Sequence, residues 1–153
     1  MKLSTVLLSM SIFLMPLLVG CGEGAEKLEG RLGHETVVSL QQAQEVLVVG
    51  VEPGATLLTP KFLAEKRALT QGEAEELRRL LMSDSSYIFD RTKSCLFIPE
   101  YAFLFMSGEK VLLTVLYSPS CKQVRFISGE RTVVLDIDPA FNSVQEVISQ
   151  FKK

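Results

Sequence analysis

Ser94 to Ile137 reads SCLFIPEYAFLFMSGEKVLLTVLYSPSCKQVRFISGERTVVLDI. Three runs rich in apolar residues follow one another here, joined by short turns that carry Gly or Pro, and a fourth run closes the series. That is the sequence form of an antiparallel meander of four strands over about residues 100–137. Cys95 and Cys121 bracket its first hairpin.

The turns imply a register. If Gly108-Glu109 is a two-residue turn, Phe105 faces Leu112, Phe103 faces Thr114 and Tyr101 faces Leu116. If Ser118-Pro119-Ser120 is a three-residue loop, Leu112 lies beside Phe126 and Thr114 beside Val124. A turn at Gly129-Glu130 sets Phe126 against Val133 and Val124 against Leu135. One face then collects Tyr101, Phe103, Phe105, Leu112, Leu116, Val124, Phe126, Val133, Leu135 and Ile137. A slip of one residue at any turn would break that set, because strand side chains alternate between faces. The opposite face receives Ala102, Leu104, Met106, Val111, Leu113, Val115 and Tyr117, then Gln123, Arg125, Thr132 and Asp136. Its apolar half needs cover, either from another part of the chain or from a partner.

Working outward, Glu45–Val51 (EVLVVGV) is a further strand, stopped by Glu52-Pro53-Gly54. It is apolar on both faces and is the expected cover. His34–Gln44 favours a short helix, whereas residues 55–69 read equally as a strand or a helical turn. Thr70-Gln71-Gly72-Glu73 is a capping box that opens a helix over about residues 71–82. Ala74, Leu77, Leu80 and Leu81 form its apolar face, and Glu75 to Arg79 is an i,i+4 pair on its wet side. A last helix occupies about residues 139–151, with Asp138 as N-cap and Pro139 at N1. Its apolar stripe is Phe141, Val144, Val147, Ile148 and Phe151. The class is therefore α+β, a single domain over residues 34–153.

The totals exclude several functions. The 153 residues suffice for one domain with a core. Lys and Arg are scattered among acids at a net charge of −2, so no basic face marks a nucleic-acid binder. Three cysteines and one histidine are too few for the usual zinc sites, and no cofactor motif is present.

The first twenty residues read MKLSTVLLSMSIFLMPLLVG, one Lys followed by an apolar run, which is the layout of a secretory leader. The run ends in Leu18-Val19-Gly20-Cys21, which resembles the lipobox of bacterial lipoprotein precursors. That resemblance implies removal of residues 1–20 and a diacylglyceryl group on Cys21. It also implies a lipid-anchored protein of the bacterial cell envelope, with the membrane as its first partner. Gly22 stands where an Asp would favour the inner membrane, so the resemblance points to the outer membrane, facing the periplasm. An uncleaved membrane anchor and an ordinary secretory leader are the alternatives. Residues 22–33 (GEGAEKLEGRLG), with four glycines and five charges, read as a flexible tether with a reach on the order of 20 Å. Cys21 and this segment together make residues 21–33 the anchor and tether.

Candidate chemistry is sparse. Export would place Cys95 and Cys121 in an oxidising compartment, and both fall at one end of the sheet. A structural disulfide is the expectation, because no Cys-x-x-Cys is present to suggest redox exchange. Asp136 and Asp138 could hold a hard cation, but a cap and a wet-face residue explain them as well. His34 has no Ser or Cys partner, and no Gly-x-Ser-x-Gly elbow surrounds any serine.

The segments ALTQGEAEELRRLL and SSYIFDRTKSCLFIPEYAFLF, followed by a Cys after the next strand, resemble a group of small, uncharacterised bacterial exported proteins. That resemblance covers about a third of the chain and implies the fold and the Cys pair, without an activity. The expected function is a non-catalytic binding or structural module of the envelope, with an envelope protein as its possible partner. The alternatives are an inhibitor of an envelope hydrolase and an enzyme with an unrecognised carboxylate site.

Overall fold

The computed structural model describes residues 23–53, 60–90, 93–149 and 151, with side chains from Leu28 onward. Residues 1–22, with the expected leader and the lipidation site Cys21, lie outside the described residues. The elements in chain order are α1 (Glu23–Leu32), α2 (His34–Gln42), β1 (Glu45–Val51), β2 (Phe62–Ala68) and α3 (Gln71–Leu81). They continue with β3 (Tyr101–Ser107), β4 (Lys110–Ser118), β5 (Gln123–Ser128), β6 (Arg131–Asp136) and α4 (Phe141–Ser149). All six strands form one antiparallel sheet in the order β2-β1-β3-β4-β5-β6.

The α+β class and the meander stand, and the sheet is larger than expected. β1 does not cover the second face. It pairs edge to edge with β3, Val46 opposite Phe105 and Val48 opposite Phe103, and β2 then pairs with β1. Its double-sided apolar pattern reflects an interior strand that serves both faces of the same sheet. β2 resolves the ambiguous segment before the capping box as an edge strand. Glu65 and Lys66 are exposed on it and disfavour further pairing.

Turns Gly108-Glu109 and Gly129-Glu130 fall where expected, each with its glycine at φ 57°. Such positive φ values cost glycine little, which is why it occupies them. The register of β4 differs. A bulge between Met106 and Phe105 sets Phe105 opposite Leu113, Phe103 opposite Val115 and Tyr101 opposite Tyr117. The next loop is Pro119–Lys122, longer than the expected three residues, so Ser118 pairs with Gln123 and Tyr117 with Val124. Each change shifts the pairing by an odd number, and the two cancel. β3, β5 and β6 therefore keep the expected faces, while Leu113, Val115 and Tyr117 join the helix side and Leu116 the other.

On the helix side, Val46, Phe103, Phe105, Val115, Phe126 and Leu135 pack against Leu40, Leu77, Leu81, Val144 and Ile148 from the helices. The capping box is present, with the Thr70 hydroxyl accepting from the Glu73 N–H and the Glu73 carboxylate accepting from the Thr70 N–H. Arg78 donates to the carbonyls of Leu40 and Ala43 at 3.1 and 2.7 Å, closing the end of α2. Arg79 pairs with Glu76 rather than with Glu75. The last helix begins with a 3₁₀ turn, Asp138–Ala140, in which Ile137 takes the N-cap place expected for Asp138.

The expected tether is corrected. Residues 23–32 form α1, and Leu28 and Leu32 are buried in the main core. The Leu28 N–H donates to Asp84 Oδ1 at 3.1 Å, and Arg131 donates to the Arg31 carbonyl at 2.9 Å. The glycines and charges of this segment suggested solvation. Its two leucines, four residues apart, share one helical face and carry the packing.

Candidate functional site

The densest chemistry lies at the pole of the sheet where β3 and β5 begin and β4 and β6 end. Residues 93–100 run there without regular secondary structure and form a strap. Cys95 and Cys121 are joined by a disulfide, with Cα atoms 5.8 Å apart. Such a separation is ordinary for the bond. The Ile98 N–H donates to Ser118 Oγ, and the Glu100 N–H to the Tyr117 carbonyl.

Lys93 closes the other end of the strap. Its Nζ lies 2.9 Å from Asp136 Oδ1, 2.9 Å from Asp138 Oδ2 and 2.9 Å from the Cys121 carbonyl. Three donors thus meet three acceptors within the protein. The Asp136 side chain is buried, and its Oδ1 also accepts the Asp138 N–H. The Lys93 hydrogen bond holds the Asp138 carboxyl below the usual carboxylate range. Lys93 therefore occupies the position between the two acids that a hard cation could have taken. Among the described residues no cluster of three or more His, Cys, Asp or Glu could hold a metal. The spacing Lys93-Ser94-Cys95 next to Asp136-Ile137-Asp138 carried this arrangement, but nothing local to the sequence pairs the two segments.

Between its two attachments the strap turns Phe97 inward. Phe97 packs with Val49, Val51, Ala102, Leu104 and Leu116, and covers the middle of the second sheet face. The Arg125 guanidinium lies 4.6 Å from the Phe97 ring centre, and burial lowers the Arg125 pKa. Leu96 and Ile98, on either side of Phe97, point outward and are 74% and 49% exposed. Ile98 also lines an apolar cleft of about 310 Å³, with Gly50, Pro53, Leu63, Tyr101 and Phe151 among others.

The remaining candidates are accounted for in simpler terms. His34 Nδ1 lies 3.1 Å from Glu29 Oε1 on the surface. A shallow cleft of about 280 Å³ between α3 and α4 carries Glu73, Glu76 and Glu146. The Arg67 hydrogen bonds draw the Glu73 pKa down, and those of Arg79 do the same for Glu76. Both carboxyls are thus held ionised, which is the wrong state for a general acid. In the loop Pro119–Lys122, Cys121 is buried, as is Ser118 before it, whereas Ser120 and Lys122 are exposed. Tyr117 accepts a hydrogen bond from Gln145 on its hydroxyl oxygen, and burial pushes its pKa up to about 12. Among the described residues no helix is long and apolar enough to cross a membrane. No family model, no curated protein and no solved structure matches this chain.

Proposed function

We propose that this chain is a lipid-anchored protein of the bacterial cell envelope whose single domain is a non-catalytic binding or structural module. The anchor is Cys21, and the lipobox-like Leu18-Val19-Gly20-Cys21 supports it. Two or three acyl chains on one residue make such attachment long-lived, because each buried methylene contributes about 0.8 kcal/mol. Gly22 favours the outer membrane, with the domain in the periplasm.

The observation that carries the non-catalytic reading is the Lys93 cluster. Lys93 in this group makes three contacts of 2.9 Å, to Asp136, Asp138 and the Cys121 carbonyl, and these fasten the strap. An inhibitor of a hydrolase has less in its support, because the exposed part of the Pro119–Lys122 loop is short, Ser120 and Lys122, and its Cys121 is bonded to the strap. A carboxylate enzyme has less still, since Glu73 and Glu76 of the α3–α4 cleft are committed to arginines.

Metabolic labelling with a fatty-acid analogue tests the anchor. The wild-type chain takes the label and Cys21→Ser does not, whereas equal labelling of the two removes the lipoprotein reading. Crosslinking in intact cells tests the module, since a binding role requires a reproducible envelope partner.

A further inference from the structure

We infer that the strap pole of the domain rests on the membrane surface, with Leu96 and Ile98 in contact with the phospholipid interface. This rests on the reading of Cys21 as the lipid anchor. Two independent observations converge on the same pole.

The first is the attachment of α1. Leu28 is tied to Asp84, and the turn containing Asp84 leads to Ile88, whose N–H donates to the Asp136 carbonyl at the end of β6. Arg31 is tied to Arg131, at the start of β6. α1 therefore packs beside β6, with Leu28 fixed through Asp84 and the Arg31 side chain sharing a cleft with Ile88, Lys93 and Asp136 at the strap pole. Glu23 opens α1, so only Gly22 stands between the helix and Cys21. From Leu28 back to Glu23 the helix rises about 7.5 Å, at 1.5 Å per residue. The two further residues to Cys21 add at most about 7 Å. Leu28 is in the core, so an acylated Cys21 holds this pole within roughly 15 Å of the bilayer surface.

The second is where apolar surface is exposed. Leu96 and Ile98 belong to the strap, and Leu63 lies near the start of β2 at the same pole. Singly exposed aliphatic residues need no explanation, but Leu63 and Ile98 line one apolar cleft, and Leu96 is exposed two residues before Ile98 on the same strap. Among the described residues, exposed Lys61 and Lys122 are matched at this pole by exposed Glu52 and Glu100. The contact is therefore apolar in character and does not require anionic lipid. A domain so held acts at the membrane surface instead of sampling the periplasm on a tether.

The chain contains no Trp, which makes single-Trp reporters clean. Full-length protein carrying Leu96→Trp, or Ser120→Trp as a second reporter at the same pole, is purified in its mature form. It is reconstituted in phosphatidylcholine vesicles containing a headgroup-nitroxide lipid. Val111→Trp reports the opposite pole, roughly 20 Å away along β4. Both strap-pole variants should lose most of their emission to the quencher, and Val111→Trp should lose little. Inserting a long Gly/Ser segment between Gly22 and Glu23 should abolish the difference if the anchor holds the pole. Equal quenching at the two poles, or stronger quenching of Val111→Trp, overturns the inference. Mass spectrometry of the same samples separates the two failures. An unacylated Cys21 ends the lipoprotein reading, and loss of quenching in that unacylated protein ends this one too. Quenching that persists without acylation keeps the pole as a lipid contact in its own right.

Discussion

Lys93 and Asp136 sit 2.9 Å apart, the first at the start of an irregular strap and the second at the end of the last strand, and the acid is almost wholly buried. Replacing Lys93 with Met would leave that carboxylate without its cation in a site with little water. Breaking a buried pair from one side costs about 3 kcal/mol or more. Lys93→Met should therefore lower the denaturant midpoint substantially, and Lys93→Met with Asp136→Asn should recover part of the loss. A midpoint unchanged by Lys93→Met would mean that the pair does not fasten the strap.

The same contact sets an acid dependence. The carboxyl of Asp138 is depressed by Lys93, and that of Glu73 by Arg67. A depressed carboxylate contributes stability above its unfolded value and loses it as pH falls through the folded value. Stability should therefore be level above the ordinary carboxylate range and fall steadily below it. Lys93→Met should remove the Asp138 share of that fall, so the mutant's acid limb should be shallower. Melting temperatures measured from neutral pH down into the acid range test both statements.

The disulfide closes a loop with a sequence separation of 26 residues. In the chain-entropy model such a closure stabilises by roughly 3–4 kcal/mol. Non-reducing peptide mapping should find the Cys95–Cys121 pair. Cys95→Ala with Cys121→Ala should lower stability by about that amount without a change of fold, and the amide spectrum should confirm the fold.

Much of this was legible in the sequence, and the misreadings share a cause. Hydrophobic alternation located β3 to β6, and the capping box located α3 to within a residue. Glycine placed two of the three meander turns. The bulge beside Phe105 left no such mark, since it depends on how Leu112 and Leu113 fit a core assembled from distant elements. The strap was equally silent. Phe97 reads as one more apolar residue before a strand, and only the assembled sheet gives it a face to cover. Residues 22–33 misled because composition outweighed the two leucines that share a helical face.

Phe97 carries the cover of the second sheet face. Truncation to Ala in a packed position of this kind costs about 3 kcal/mol. Phe97→Ala should lower stability by about that amount and raise the binding of an environment-sensitive dye, as Leu104 and Leu116 become accessible. Leu104→Asp puts a charge beneath the strap, among Val49, Val51, Ala102 and Leu116, and should unfold the domain. If Leu104→Asp instead left the melting temperature unchanged and abolished co-purification of an envelope protein, this face would be a docking surface.

Two glycines near α1 distinguish a docked helix from a tether. Gly33 joins α1 to α2 at φ 83°, and a Cβ there would lie 3.0 Å from Arg131 Cζ. Alanine is strained at that φ, and it would also displace the guanidinium that holds the Arg31 carbonyl. Gly33→Ala should cost about 1–2 kcal/mol. Gly30 lies inside α1, and a Cβ there would have nothing within 4 Å, so alanine meets no obstacle. Gly30→Ala should stabilise by about 0.5–1 kcal/mol, because alanine loses less backbone freedom in a helix. In a flexible tether neither change would matter. Opposite shifts in the midpoint of chemical denaturation therefore require that α1 folds with the domain. Two neutral results would return residues 23–33 to the role of a linker.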